Sequence, residues 1–406
     1  MHLLKGLLVG LAVTSPALAF ENAKVLPAGV RNVNVRTVNT NIEQKTDEAG
    51  KGKPLAQPLA QSLTFSKIAK SEEPLAAKQL EGFLLTQGMA MGDMVGAFTA
   101  DLKGHIGVAA GIFSYGVSEN LTLAVAAPYY RASTAIEVGF RKNETGQRFL
   151  DALAKQENNS QASAQEAGGK LNNAVGRLND KLRDNGFRAL EDWHDEGLGD
   201  MTLAGKYQVL KRGDLAAATT AGIVAPTGRP DDPDILNDIA FGDGQYDLFG
   251  QVATDQPLFG DVVANEFAKY TVQLPGERDM RMTTEEESIE VDAQKTKFKL
   301  GDKVDAGLSL VYQPPEGVVA GLGYTYFRKY GDIYRDVPGA VKSKLEGDTD
   351  QMAHNGEAQL GFSTVPLYQR GAFAVPFEMK LTYTKQLESR NMPITDLAQF
   401  DLNLFF

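Results

Sequence analysis

Side chains that could carry chemistry are few and scattered. There is no cysteine and there are four histidines, which removes disulfides, thiolate metal ligands and cysteine nucleophiles together. His105, His194 and His354, the histidines beyond the first turn of sequence, lie in separate segments. His194-Asp195-Glu196 could hold a cation, but no second ligand group stands at a recognised metal-binding spacing. Asp231-Asp232-Pro233-Asp234 offers oxygen ligands without the spacing of a calcium loop, and Glu285-Glu286-Glu287 reads as a solvated surface. Hydrolysis would need a nucleophile, a base and an orienting group brought together, and the sequence carries no such signature. We therefore expect no catalytic site, cofactor or bound metal. With 52 acidic against 41 basic residues and a net charge of −11, nucleic acid is excluded as a partner, because phosphate binding needs a basic surface.

The elements behind these residues are strands. Lys5, the apolar stretch Gly6 to Val13 and the small residues Ser15-Pro16-Ala17-Leu18-Ala19 read as a signal peptide over 1–19, so the chain is expected to be exported. No later stretch is apolar enough for a spanning helix. From about residue 105 the chain alternates apolar with polar side chains, the period of a strand with two different faces. Val304, Ala306, Leu308 and Leu310 alternate with Asp305, Gly307 and Ser309; Phe377, Met379, Leu381 and Tyr383 alternate with Glu378, Lys380 and Thr382. Short turns such as Lys211-Arg212-Gly213-Asp214 take turns with long polar segments near 140–197, 227–243, 276–292 and 331–352. Tight turns on one rim and long loops on the other describe an all-β, antiparallel outer-membrane barrel of a Gram-negative bacterium.

Eleven strands are expected between 104 and 406, among them 104–117, 199–210, 297–313 and 395–406. An even count requires one more, for which 30–42 is preferred to 85–102, giving twelve strands with fourteen as the alternative. The organisation is then a leader over 1–19, an N-terminal segment over 20–103 with the first strand and a long loop or partial plug, and a barrel over 104–406. An insert over 144–193 is expected to be helical and extracellular, with Leu171, Val175, Leu178 and Leu182 on one helix face. The terminal strand ends in Phe406, an expected signal for the outer-membrane assembly machinery. Glu266 interrupts an otherwise lipid-facing run.

Alternation also assigns a lumen. Asp200, Lys206, Gln208, Asp305, Glu357, Gln359, Glu378 and Lys380 are expected to face inward. They would line a pore, or pair with one another and fill a narrow interior. Asp231, Asp232, Glu285, Glu286 and Glu287 are expected at the outer mouth, where they would favour cations.

Tyr115-Gly116-Val117-Ser118-Glu119-Asn120-Leu121-Thr122-Leu123 with Pro128-Tyr129, Gly197-Leu198-Gly199-Asp200 with Lys206-Tyr207, and Pro226-Thr227-Gly228 resemble a family of outer-membrane transporters of the meta-pathway of phenol degradation. That family is similar in outline to the hydrocarbon and fatty-acid transporters. The resemblance runs over roughly 105–406, and the long helical insert departs from the family's minimal pattern. It implies an outer-membrane channel for passive uptake of small, hydrophobic or aromatic molecules, with the bilayer and a small solute as partners. The alternative is a surface-interaction or structural barrel without an open pore.

Overall fold

The structure, a computed structural model, describes residues 22–70, 74–155, 162–282 and 292–406. Twelve strands close into one antiparallel barrel: β1 (Arg31–Ile42), β2 (Met94–Ser118), β3 (Leu121–Lys142), β4 (Met201–Arg212), β5 (Leu215–Ala225), β6 (Asp247–Phe259), β7 (Val262–Gln273), β8 (Lys303–Tyr312), β9 (Val318–Lys329), β10 (Gln351–Ser363), β11 (Phe377–Arg390) and β12 (Asp396–Phe405). Each pairs with its sequence neighbour, and β12 returns to β1 with Arg36 opposite Asp401. Two short strands, Ser62–Thr64 and Trp193–Leu198, are added beside β2 and β3. Closure satisfies the backbone without any edge facing lipid. No described helix is long and apolar enough to cross a membrane.

On the short-turn rim, Gly213-Asp214 and Gly260-Asp261 each form a two-residue loop. Gly213 (φ 61°) and Gly260 (φ 53°) supply the positive φ that such hairpins require. The outer face follows the expected alternation. Val125, Leu203, Val252, Leu308, Leu322, Leu360, Leu381 and Phe400 all point outward and are exposed. Tyr129, Tyr270, Tyr324 and Tyr383 stand toward the long-loop ends of their strands, and Tyr312 at a short-turn end, as aromatic girdles do. Glu266 does face outward in this apolar surface. Its Oε2 accepts from Thr254 Oγ1 (2.6 Å) and Gln256 Nε2 (3.1 Å) on the same face of β6. A cross-strand polar triad therefore compensates the carboxylate.

Three sequence expectations need adjusting. The strand expected to begin at 104 begins at Met94, because the polar-apolar alternation continues up a hairpin that stands above the apolar belt; 85–102 is thus divided between a helix end and this strand. The strand expected over 297–313 begins at Lys303. Residues Ala293–Lys299 instead pair with Gly276–Arg281 and Ile333–Arg335 in a separate three-stranded sheet. The chain turns at Gly301, where an added Cβ would lie 1.8 Å from the Tyr330 carbonyl oxygen. Finally, the helix face expected to run through Leu171, Val175, Leu178 and Leu182 is divided between two helices.

The long-loop side carries α1 (Phe65–Ala69), α2 (Pro74–Thr86), α3 (Glu144–Ala154), α4 (Ala162–Asn172) and α5 (Ala174–Asp184). Asn143 caps α3 by accepting from Gly146 N (2.9 Å). Asn173, with φ −116° and ψ 38°, breaks the expected single helix. Leu171 consequently packs with Phe65, Phe83, Leu84 and Phe149, whereas Leu178 and Leu182 pack with the barrel mouth. The first of these clusters holds Phe149 edge-on to Phe65 at 4.9 Å and to Phe83 at 5.8 Å. It joins the loop before β2 to the insert after β3. The proposed leader, 1–19, lies outside the described residues.

Candidate functional site: the lumen and its two ends

The barrel wall divides into two halves. Inward residues at mid-height on β1 to β6, such as Asn34, Ile106, Ala126, Ala204, Ala218 and Ala253, are at most 5% exposed. Most of this half is small or apolar. Across the lumen, many inward residues on β7 to β12 remain partly exposed, among them Lys269, Ser309, Thr325 and Gln399, while Thr382 and Asp401 beside the seam are buried. The lumen is packed against one side and open to solvent along the other.

The packing on the first side comes from both ends of the barrel. At the short-turn end, residues 22–29 lie within the wall. Ala23 N donates to Asp255 Oδ1 (3.0 Å), its carbonyl accepts from Gln208 Nε2 (2.8 Å), Asn22 Oδ1 accepts from Lys206 Nζ (3.4 Å), and Leu26 N donates to Thr122 Oγ1 (2.8 Å). Lys24 reaches Gln313 on the opposite side at 3.3 Å. Ala23 is wholly buried with Ala216 and Ala218. At the long-loop end, Leu55 and Leu59, then Leu182, Phe187 and Leu190, then Leu236, Ile239 and Phe241 converge on Val38, Ile42, Ile106, Tyr130 and Ile136. Three separate loops thus build one apolar stopper.

Two arginines tie these loops together. Arg281 pairs with Asp234 (2.6 Å), donates to Asn185 O (2.9 Å) and sits 3.9 Å over the Phe187 ring. Arg229 pairs with Asp195 and Asp238, each at 2.9 Å, and lies 5.0 Å over Phe241. Such contacts combine charge with stacking in a way a lysine would not. Beneath them Asp200 accepts from Gly228 N (2.8 Å) and Asp243 N (3.2 Å). Burial pushes the Asp200 carboxyl upward, and pushes Asp243 up to about 6, with Asp247 and Asp200 adding to the effect and Lys303 opposing it.

Of the residues assigned to the lumen from sequence, Lys206 and Gln208 face inward and are buried under the N-terminal segment. Asp305, Glu357, Gln359, Glu378 and Lys380 face inward on the open half and stay partly exposed. Asp200 has the inward parity, but its carboxylate holds the loop 227–243 rather than lining a passage. Asp231 and Asp232 are in that loop; Asp232 Oδ1 accepts from Asp234 N at 2.9 Å. Glu285, Glu286 and Glu287 lie outside the described residues. Phe406 points outward, and its backbone exchanges two hydrogen bonds with Arg31 (2.8 and 3.0 Å), extending the seam between β12 and β1.

Sequence reasoning missed the seam's polar row. Arg36 Nε donates to Asp401 Oδ1 (2.6 Å), Gln399 Nε2 donates to Asp401 Oδ2 (2.6 Å), and Asn34 Nδ2 reaches Asn403 Oδ1 (3.2 Å). The signal was present as Asn32, Asn34 and Arg36 alternating with Val33 and Val35. Nothing in the composition of residues 22–29 announced that they lie inside the barrel.

Residues 91–253 match the sequence profile of a family described as "Putative MetA-pathway of phenol degradation". That stretch carries the family resemblance. It contains every motif quoted for the resemblance and runs from the approach to β2 into β6, most of the packed half of the wall. No curated protein matches the chain in sequence. Among solved structures, an outer membrane channel from Pseudomonas putida F1 superposes with a TM-score of 0.53 at 11% identity, covering 95% of this chain and 98% of that one. A FadL homologue from Pseudomonas aeruginosa gives 0.35 at 8% identity, over 96% and 94% of the two chains. The first likeness places this fold among outer-membrane barrels.

Proposed function

We propose that the protein is a channel of the outer membrane for passive uptake of small, hydrophobic or aromatic molecules, and not an enzyme. The observation that carries this reading is the partly exposed inward face of β7 to β12, because a barrel filled for strength alone would bury its interior on all sides. The choice of solute follows the description of the matched family. Export by the leader 1–19 and insertion guided by the Phe406 strand belong to the same proposal, as does a mouth whose acids, Asp231, Asp232, Glu285, Glu286 and Glu287, favour cations.

Planar-bilayer recording of the refolded, heat-modifiable barrel tests it. We expect discrete conductance steps, with a modest cation preference that weakens as salt shortens the Debye length below about 10 Å. A correctly folded barrel that conducts nothing, even after the N-terminal segment is removed, overturns the channel. A second reading, a structural or surface-interaction barrel, is favoured by one feature: both ends of the lumen are covered by the chain itself.

A further inference from the structure

The seam row holds a cation whose hydrogen-bonding capacity is mostly unused. Arg36 is 5% exposed and commits only its Nε to Asp401; its Nη1 is buried without an acceptor. Buried guanidinium donors are normally satisfied, and one left over marks a place for an acceptor. Lys380 stands on β11 directly across from the same Asp401, and its charge, with that of Arg36, acts on the Asp401 carboxylate. Two cations therefore flank one carboxylate. One row toward the short-turn rim, Asn34 Oδ1 is also buried and unpaired, and one row toward the loops so is Thr382 Oγ1. Two strands that flank β12, β1 and β11, thus present unsatisfied polar atoms in adjoining rows of the same inward face.

What borders this row differs above and below. Toward the loops, Val38 follows Arg36 on β1 and Leu397 precedes Gln399 on β12, and both belong to the apolar mouth cluster. Toward the short-turn rim stands Glu378, two residues from Lys380 and opposite Asn403. An occupant with an anionic head at Arg36 and an apolar body toward Val38 and Leu397 fits this gradient. With Asp401 and Glu378 already balancing Arg36 and Lys380, a monoanion is tolerated better than a phosphate dianion.

We infer that Arg36 and Lys380, with Thr382, form a binding site on the lumen wall for a small monocarboxylate with an apolar body, of the size of an aromatic acid. The planar Nη edge of Arg36 receives the carboxylate, and the partly exposed Lys380 meets it first. The site deepens the channel reading by naming a solute class, and it stands on binding rather than on passage.

Titration calorimetry on the full detergent-folded barrel, with benzoate, benzyl alcohol and inorganic phosphate as probes, tests the site. Benzoate should bind, phosphate should bind more weakly, and benzyl alcohol should lose most of the affinity. R36Q should weaken benzoate by about tenfold, the usual consequence of losing a charge-assisted contact, and K380Q by less. Because R36Q strands Asp401, the pair R36Q/D401N provides a second variant without an unpaired buried carboxylate; it should lose benzoate binding while remaining heat-modifiable. Equal binding of benzoate and benzyl alcohol, or unchanged benzoate binding in R36Q/D401N, overturns the site, and phosphate binding as well as benzoate overturns the apolar body. Benzoate binding in a barrel that never conducts would retain the site and remove the channel.

Discussion

The inner surface of β1 to β6 and that of β7 to β12 are made by the same strand geometry, yet they meet different surroundings. The first is lined largely by alanine, glycine, threonine and aliphatic side chains, and other parts of the chain lie on it. The second carries Lys269, Asp305, Glu357, Gln359, Glu378 and Lys380 and keeps them in partial contact with solvent. Small side chains leave room for a stopper to be packed, whereas long charged ones keep neighbours at a distance and hold water. On the proposed channel reading, the contrast places the passage off-centre, along the polar half.

The strongest way to break that picture is to remove residues 22–29. Their hold on the wall is a handful of hydrogen bonds to Asp255, Gln208, Lys206 and Thr122, not a strand ladder. Deletion should leave a folded barrel with a several-fold larger conductance step in bilayer recordings; an unchanged step would mean that the segment does not obstruct the passage.

Matched substitutions on the two halves come next. Ala204→Leu, in the packed wall, should destabilise the barrel by about 1–3 kcal/mol, the usual penalty of overpacking. Ser309→Leu, on the open wall, should change stability by less than about 0.5 kcal/mol. Urea unfolding of both variants in the same detergent measures the difference, and equal losses would erase the distinction between the halves.

The effect of pH is smaller and local. The carboxyl of Asp243 titrates near 6 in the fold, above its ordinary value of 3.8, because burial disfavours its charge. The folded state then binds more protons than the unfolded state between those two values. Stability of the loop 227–243 should rise as pH falls through 6 and decline as pH rises through it. Hydrogen exchange in that loop at pH 7 and pH 5 should show this, and Asp243→Asn should flatten the dependence. A loop that loosens on acidification would contradict the buried placement of Asp243.

Smallest is the effect expected on the lipid side. Glu266→Gln keeps an acceptor for Thr254 and should alter the heat-modification midpoint little, whereas Glu266→Leu should leave Thr254 and Gln256 without their shared partner and lower it. The reverse order would show that the triad in the apolar belt is not what accommodates Glu266.

Much of the wall was legible because a strand with two different faces writes its period into the sequence. The alternation in Arg31–Ile42 identified the first strand, and with it the count of twelve, before any pairing was known. The lumen assignments of Asp305, Glu357, Gln359, Glu378 and Lys380 followed from parity alone. Parity says which face a residue takes, not what lies over that face. Lys206 and Gln208 take the inward parity and yet are covered, because Asn22 and Ala23 fold back on them from a segment with no periodicity. The break at Asn173 was hidden for a related reason: Leu171, Val175, Leu178 and Leu182 keep a helical spacing across it, and only packing against two different clusters separates them. The roles of Arg229 and Arg281 were not legible, since Asp195 and Asp234, with which they pair, come from other loops.

The seam between β1 and β12 has a bearing on how the protein is made. Arg36 and Asp401 are separated by 365 positions, and Arg31 exchanges bonds with Phe406. Bringing such distant segments together requires the chain between them to be ordered already, because long loops are entropically unfavourable to close and non-local pairing is slow. The strand that carries Asp401 therefore completes the ring that β1 leaves open. Residues 22–29, attached directly ahead of β1, either lie inside when that ring closes or enter afterward through the short-turn end. The order of these two events sets whether an assembling barrel is briefly permeable, and a pulse-labelling experiment during folding would time it.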